Sequence, residues 1–315
     1  MTRKKTNKQT QNKKIDLSGT WQTLSQRDVY RRTKEPQPDS AIELANTAKF
    51  HDNSAAYAWN NEPVHTLKTI MSYEGKKGIG VAASGDQSFI FLQLGLREYL
   101  SFDISQVACF WVELKRAAQM HLSKDEFERF MNGKKDANTT RRRSNLYDGL
   151  RQYVSVYTRT FFDKVIDATS KDTIYTLLND RKFFRGTWRG DVQVPYCETK
   201  EQYEILQRKM CDAQFKTSWQ DIDAAMRCTP NEKFDLIFIS NILDRWPAFG
   251  CDMEQTLLLF KERLAQDKKA RIIGNYQLGY NIASTIQESA KKTGLLFTPH
   301  VPDTYDYWTM QHEGL

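Results

Sequence analysis

The chain has 315 residues, 40% of them hydrophobic, and a formal net charge of +7. That length is ample for a buried core, and no apolar run approaches the roughly 18–20 residues a spanning helix needs, so the expectation is a soluble protein with a polar surface. Its five cysteines (Cys109, Cys197, Cys211, Cys228, Cys251) form no Cys-x-x-Cys pair, which argues against zinc and a disulfide framework and for a reducing cytoplasm.

The charge is unevenly placed. Residues 1–14, MTRKKTNKQTQNKK, carry six Lys/Arg and no acid, which leaves +1 for the remaining 301 residues. The expectation is a basic disordered tail on a nearly neutral body. Such a tail suits peripheral contact with an anionic membrane surface or with nucleic acid, or is simply a solvated terminus. It has no apolar core and does not read as a secretory signal.

Residues 15–55 are polar, with a loop at RRTKEPQPDS. Residues 62–73 have the apolar spacing of a short helix with Pro63 in its first turn. KKGIGVAASG then reads as a buried strand and a turn, and DQSFIFLQLGL as a helix stopped by Gly95. EYLSFDIS is a second strand and QVACFWVELKRAAQMHL a strongly periodic helix. This strand–helix–strand–helix run implies right-handed crossovers and a parallel sheet. Residues 132–145 form a charged loop, while 146–185 and 200–212 read as helices. The αβ rhythm returns with a strand at 234–243, a helix in QTLLLFKERLAQ and a strand in ARIIGNYQLG. The reading is a Rossmann-type α/β domain in which 15–110 and 213–315 are the two parts of one sheet and 111–212 is a helical acceptor-binding insertion.

Four strand ends carry the candidate chemistry, because ligands of an open parallel sheet bind outside its carboxyl ends. Ser84-Gly85-Asp86 is a small-residue corner before a helix. It lacks G-x-G-x-x-G, and Asp86 repels a phosphate but suits an ammonium. Asp103, 18 residues after Gly85 and followed by Ile104, suits a ribose diol. Asp221, with Ile222 behind it, suits an adenine amino group. Ser240-Asn241 closes the strand at 234–243. Turn, ribose acid, adenine acid and polar strand end follow the order of a class I S-adenosylmethionine-binding domain. For a general base the candidates are Asp244, Tyr276 and Tyr280, whose plain readings, a surface acid beside Arg245 and packed rings, are the commoner ones for such residues. His65 and His121 lack partners at metal spacing, so no metal is expected. The RKFFRGTWRG segment, 181–190, interleaves Arg and aromatic rings, which suits base stacking, a lipid headgroup boundary or plain packing.

With those residues in view, the stretch 80–131 resembles the betaine-lipid-synthase type of S-adenosylmethionine 3-amino-3-carboxypropyltransferase. The matching features are Ser84-Gly85-Asp86, Asp103, Glu113-Leu114-Lys115 and Leu122-Ser123 with Phe127. FDLIFISNILDRW (234–246) is similar to the family's later strand, and YAWNNEP (57–63) to its upstream Tyr, Trp and Glu-x-Pro region. Where the family has Asp-Leu-Asn-Pro at strand two, this chain has Asp103-Ile104-Ser105-Gln106. The resemblance implies a class I fold with a helical insertion and S-adenosylmethionine as cofactor. It implies transfer of the 3-amino-3-carboxypropyl group to a hydroxyl or other nucleophile, a diacylglycerol-like lipid among them, with release of methylthioadenosine. It also implies that Tyr57 and Trp59 join Ser84 and Asp86 around the amino-acid arm. An ordinary methyltransferase acting on a nucleic acid or a small molecule is the competing expectation, with a cytoplasmic protein, membrane-associated or not, in either case.

Overall fold

The computed structural model describes residues 56–57, 66–132, 146–169, 184–185, 197–243, 252–275, 283–300 and 307–314. In chain order the elements are β1 (Ala56–Tyr57), α1 (Leu67–Ile70), β2 (Lys77–Val81), α2 (Asp86–Gln93), β3 (Glu98–Asp103), α3 (Gln106–His121), α4 (Lys124–Asn132) and α5 (Val156–Thr169). Then come β4 (Phe184–Arg185), α6 (Lys200–Asp212), β5 (Gln214–Trp219), α7 (Ile222–Arg227), β6 (Leu236–Ser240), α8 (Met253–Arg263), β7 (Arg271–Asn275), α9 (Ala283–Lys292), β8 (Leu295–His300) and β9 (Tyr307–His312).

Seven strands make one sheet in the order β5-β3-β2-β6-β7-β9-β8, while β1 and β4 pair separately. From β5 to β7 all neighbours are parallel. Strand β9 runs antiparallel to both β7 and β8. Numbered along the chain, the sheet reads 3-2-1-4-5-7-6 with a reversed seventh strand, which is the class I S-adenosylmethionine-dependent methyltransferase-like fold. The expected fold class stands on this topology.

Two glycines explain how β2 sits at the centre. Gly78 and Gly80 share one face of the strand, and a Cβ on Gly80 would fall 2.3 Å from the Tyr99 hydroxyl and 2.6 Å from the Phe238 carbonyl oxygen. Tyr99 of β3 fills the room a side chain would take, stacks on Phe215 of β5 and tilts against Phe91 of α2. Gly80→Ala is therefore expected to overpack this layer and destabilise the protein by about 1–3 kcal/mol, read from the denaturant midpoint at constant m. Helix α2 is buried along its length from Asp86 to Leu92. It lies between the sheet and α6, whose Tyr203, Leu206 and Met210 join the same core as Phe89 and Phe91.

That packing changes the reading of the insertion. Helix α3 lies on the sheet, with Cys109, Trp111 and Val112 in the core, and Phe127, Phe130, Phe161 and Phe162 belong to the same cluster. The described part of 111–212 is thus built onto the sheet's own face. Of β5 only its end, near Asp221, is among the expected strand ends, and the β8–β9 hairpin has no counterpart among the expected elements. The helix expected over 62–73 is described only as the four residues of α1. Among the described residues, no helix is long and apolar enough to cross a membrane.

Candidate functional site

Strand order reverses between β2 and β6, with β3 and β5 on one side and β7 on the other. A crevice outside the carboxyl ends opens at such a point. Both strand ends there are strained. Ala83 (φ 44°), just past β2, and Ser240 (φ 49°), the last residue of β6, are the non-glycine residues with positive φ among those described. Each such conformation costs on the order of 1–3 kcal/mol and persists where its surroundings enforce it. At Ala83 the enforcing group is Asp103, whose Oδ2 accepts from the Ala83 N–H at 2.9 Å. At Ser240 it is a register shift against β7 between Phe238 and Ser240.

Asp103 is the hinge of the site. Its Oδ1 accepts from the Ser105 N–H at 2.8 Å, while Ser105 itself caps α3 by accepting from the Ala108 N–H. One carboxylate thereby ties the β2 loop, the β3 end and the α3 start together. Apolar surroundings push its pKa up to about 6, and the backbone donors only partly oppose this. The Ile104 N–H acts on the same carboxylate, and of its roughly four lone-pair sites the remaining one suits a further donor such as a ribose hydroxyl.

The corner at Ser84 to Asp86 departs from expectation. Asp86 is fully buried and forms a 2.5 Å ion pair with the equally buried Lys115 of α3. The Lys115 Nζ also donates to the Ser84 carbonyl oxygen at 3.2 Å, and Ser84 Oγ accepts from the Asp86 N–H. Asp86 faces inward onto a protein cation, so it does not present a carboxylate to a ligand ammonium. Sequence placed an acid at the right corner but could not show which way it turns. Gly85 adopts φ 82° to make the turn, with its N–H bonded to the Ala82 carbonyl oxygen. The neighbouring Glu113 turns away from this corner and accepts from the Ser155 N–H and from the Ser155 and Thr158 hydroxyls at the start of α5. The Glu-Leu-Lys triplet therefore holds two different helix starts.

On the β5 side, Asp221 caps α7, its Oδ1 accepting from the Ala224 N–H at 2.8 Å, and Ile222 is buried in the core beneath. The Ile104 carbonyl oxygen accepts from the Trp219 indole N–H at 3.0 Å, and Gln220 N–H bonds to the Asp103 carbonyl oxygen. These contacts draw Asp103, Ile104 and Asp221 to adjacent strand tips, while Ser240 and the half-buried Asn241 stand across the reversal point. Tyr57 is placed in β1, paired with Arg185. Trp59, Asp244, Tyr276 and Tyr280 lie outside the described residues, as do the 1–14 tail and most of 181–190.

Two residues were missed by sequence reasoning, whereas Lys115 was named in the Glu113-Leu114-Lys115 match without a role. Gln220 (0% exposed), at the tip of β5, and Asn275 (1% exposed), at the tip of β7, have side-chain amides with no hydrogen-bond partner on either atom among the described residues. Buried carboxamides are normally satisfied; Gln119 of α3 is another without a partner among the described residues, and what sets Gln220 and Asn275 apart is that they stand at strand tips on either side of the reversal point. No sequence signal distinguishes them from other Gln and Asn.

The cofactor implied by this fold class is S-adenosylmethionine. The donor and acceptor set suits its adenosine half: a carboxylate with a lone pair to spare at β3, and a second carboxylate and an orphan amide at β5. The loop that should receive the amino-acid arm lacks a free acid, because Lys115 takes Asp86. Among the described residues, no three His, Cys, Asp or Glu side chains gather as a metal site.

No protein-family model and no curated protein sequence matches the chain. Among solved structures it is similar to the rRNA methyltransferase aviRa from Streptomyces viridochromogenes, at 8% identity and TM-score 0.41, over 89% of this chain and 95% of that one. It is also similar to a ribosomal protein L11 methylase from Lactobacillus delbrueckii subsp. bulgaricus, at 9% identity and TM-score 0.38, over 79% and 77%. A third is a TehB-like S-adenosylmethionine-dependent methyltransferase from Corynebacterium glutamicum, at 10% identity and TM-score 0.38, over 81% and 89%. Likenesses this distant say nothing of a substrate, and the fold class follows from the chain's own strand order.

Proposed function

We propose that the protein is an S-adenosylmethionine-dependent transferase that moves the 3-amino-3-carboxypropyl group to an acceptor nucleophile. The observation that carries the cofactor is Asp103, fixed by two backbone donors beside the strained Ala83 at the reversal point. In this reading Asp103 accepts from a ribose hydroxyl, and Asp221 and Gln220 meet the adenine edge. The turn at Ser84-Gly85 brings backbone close to the ligand. Bound there, the sulfonium supplies an electrophilic carbon and a thioether leaving group. Which of its three carbons reacts depends on which one lies in line with the nucleophile.

Support for the aminocarboxypropyl group over methyl comes from the sequence resemblance and from the fate of Asp86. Methyl transfer favours an amino-acid arm anchored away from the acceptor. Here the one acid at the first loop is held by Lys115, which suits an arm turned toward the β6 and β7 side. A hydroxyl or amine acceptor needs a base within hydrogen-bond reach, and Asp244, Tyr276 and Tyr280 follow the two strands on that side. The experiment is product analysis after incubation with the cofactor and a cell extract. Methylthioadenosine is the expected product. S-adenosylhomocysteine would replace this reading with methyl transfer, and failure to bind the cofactor would remove both.

A further inference from the structure

Asn275 is the last residue of β7 and points to the same face as Ile273, where it stands directly opposite Tyr307 of β9. Ile273 and Tyr307 both belong to the core beneath α2 and α3, so the amide is set against apolar neighbours. Its carboxamide is 1% exposed, and neither its oxygen nor its nitrogen has a partner among the described residues. Next to it, Ser240 of β6 pairs in register with Gly274, so the strained strand end and the orphan amide lie side by side. Both stand across the reversal point from Asp103, on the side where the proposed function puts the acceptor.

An orphan carboxamide wants one donor and one acceptor on a single planar edge. A trans peptide group cannot supply both, because its N–H and C=O point in opposite directions. A lone hydroxyl on an acyl chain offers no planar edge. A nucleobase edge supplies an adjacent N–H and acceptor, the pairing by which Asn reads bases bidentately. The charge pattern agrees: six cations in residues 1–14 without an acid, Arg141-Arg142-Arg143, and arginines interleaved with aromatic rings over 181–190 suit a polyanion carrying stackable bases.

Resting on the reading of the protein as a cofactor-dependent transferase, we infer that Asn275 reads the acceptor and that the acceptor is a nucleobase, in RNA or as a free nucleoside. The test compares the full chain with Asn275→Leu, which keeps the shape and removes both polar atoms, and with Asn275→Asp, which keeps an acceptor and loses the donor. Uridine, cytidine and guanosine serve as probes in saturation-transfer NMR, adenosine being avoided because it would enter the cofactor half. At least one probe is expected to bind the wild type and to weaken roughly fivefold or more in both variants. The melting temperature of Asn275→Leu is expected to rise by about 2–6 °C, since an unsatisfied buried amide is replaced by apolar contact. S-adenosylmethionine affinity, measured by calorimetry, should stay within about twofold of wild type. With cofactor labelled in its aminobutyrate arm and a cell extract as the source of acceptors, label should pass from the cofactor into the RNA or nucleoside fraction as unlabelled methylthioadenosine leaves, and this transfer should fall in both variants. Three results would overturn the inference: equal probe binding by wild type and variants or none by any, a lower melting temperature in Asn275→Leu, or label confined to protein or lipid. Loss of cofactor binding by the wild type would strike the transferase reading instead, and the nucleoside binding would still decide the role of Asn275.

Discussion

Asp103→Ala is expected to lower S-adenosylmethionine affinity by about 2–4 kcal/mol, roughly 30- to 1000-fold, in calorimetry. Two losses add. The ligand loses a charged acceptor, worth about 1.5–3 kcal/mol. The Ala83 and Ser105 N–H groups lose theirs as well, so the loop that Ala83 strains to form relaxes. Asp103→Asn should fall between, because an amide nitrogen cannot accept from a backbone N–H. The same carboxyl sets a pH dependence. Its folded-state pKa is raised from the usual carboxylate range to about 6. Protonation thus favours the folded, ligand-free protein below about pH 4, and that contribution fades as pH rises through 6. A diol donates best to the ionised form, so affinity should rise from pH 5 to 7 and then level, with a proton released on binding in the acid half of that range. An affinity indifferent to both the substitution and pH would place the ribose elsewhere.

What could be read in advance divides along physical lines. Strands β2, β3, β6 and β7 announce themselves as short apolar runs because a parallel strand is covered on both faces. Strand β5 (QFKTSW) is an edge strand with Gln214 and Lys216 exposed, and its alternation is too brief to separate from the helix before it. The β8–β9 hairpin is equally quiet, since LLFTPH exposes half of its residues and contains Pro299, tolerated at such a place. Asp103 was legible because strand end and acid coincide in the sequence. The inward turn of Asp86 was not, because its partner Lys115 is 29 positions away on a helix whose burial only the fold decides. Gln220 and Asn275 could not be found at all: what distinguishes them is the absence of a partner at a strand tip, a property of three-dimensional surroundings.

Lys115→Met carries the largest expected effect on stability. The ammonium is fully buried between the Asp86 carboxylate and the Ser84 carbonyl oxygen, with the Trp111 ring 5.9 Å from it. Burial pulls its pKa down and the Asp86 charge opposes that. Removing one partner of such a pair leaves the other as an uncompensated buried charge, a loss of about 3–5 kcal/mol. For a domain of this size that lowers the melting temperature by about 6–20 °C. Replacing both partners with apolar residues of similar volume is often neutral, so Lys115→Met with Asp86→Leu should recover most of the lost stability. It should not recover ligand affinity, because the Ser84 carbonyl stays ungripped and the turn into Gly85 loses its anchor. The two measurements therefore separate a fold-holding pair from a loop-positioning one. A double variant regaining both stability and cofactor affinity would show that Lys115 serves the core alone, and a single variant melting within about 3 °C of wild type would show that the pair is not buried as described.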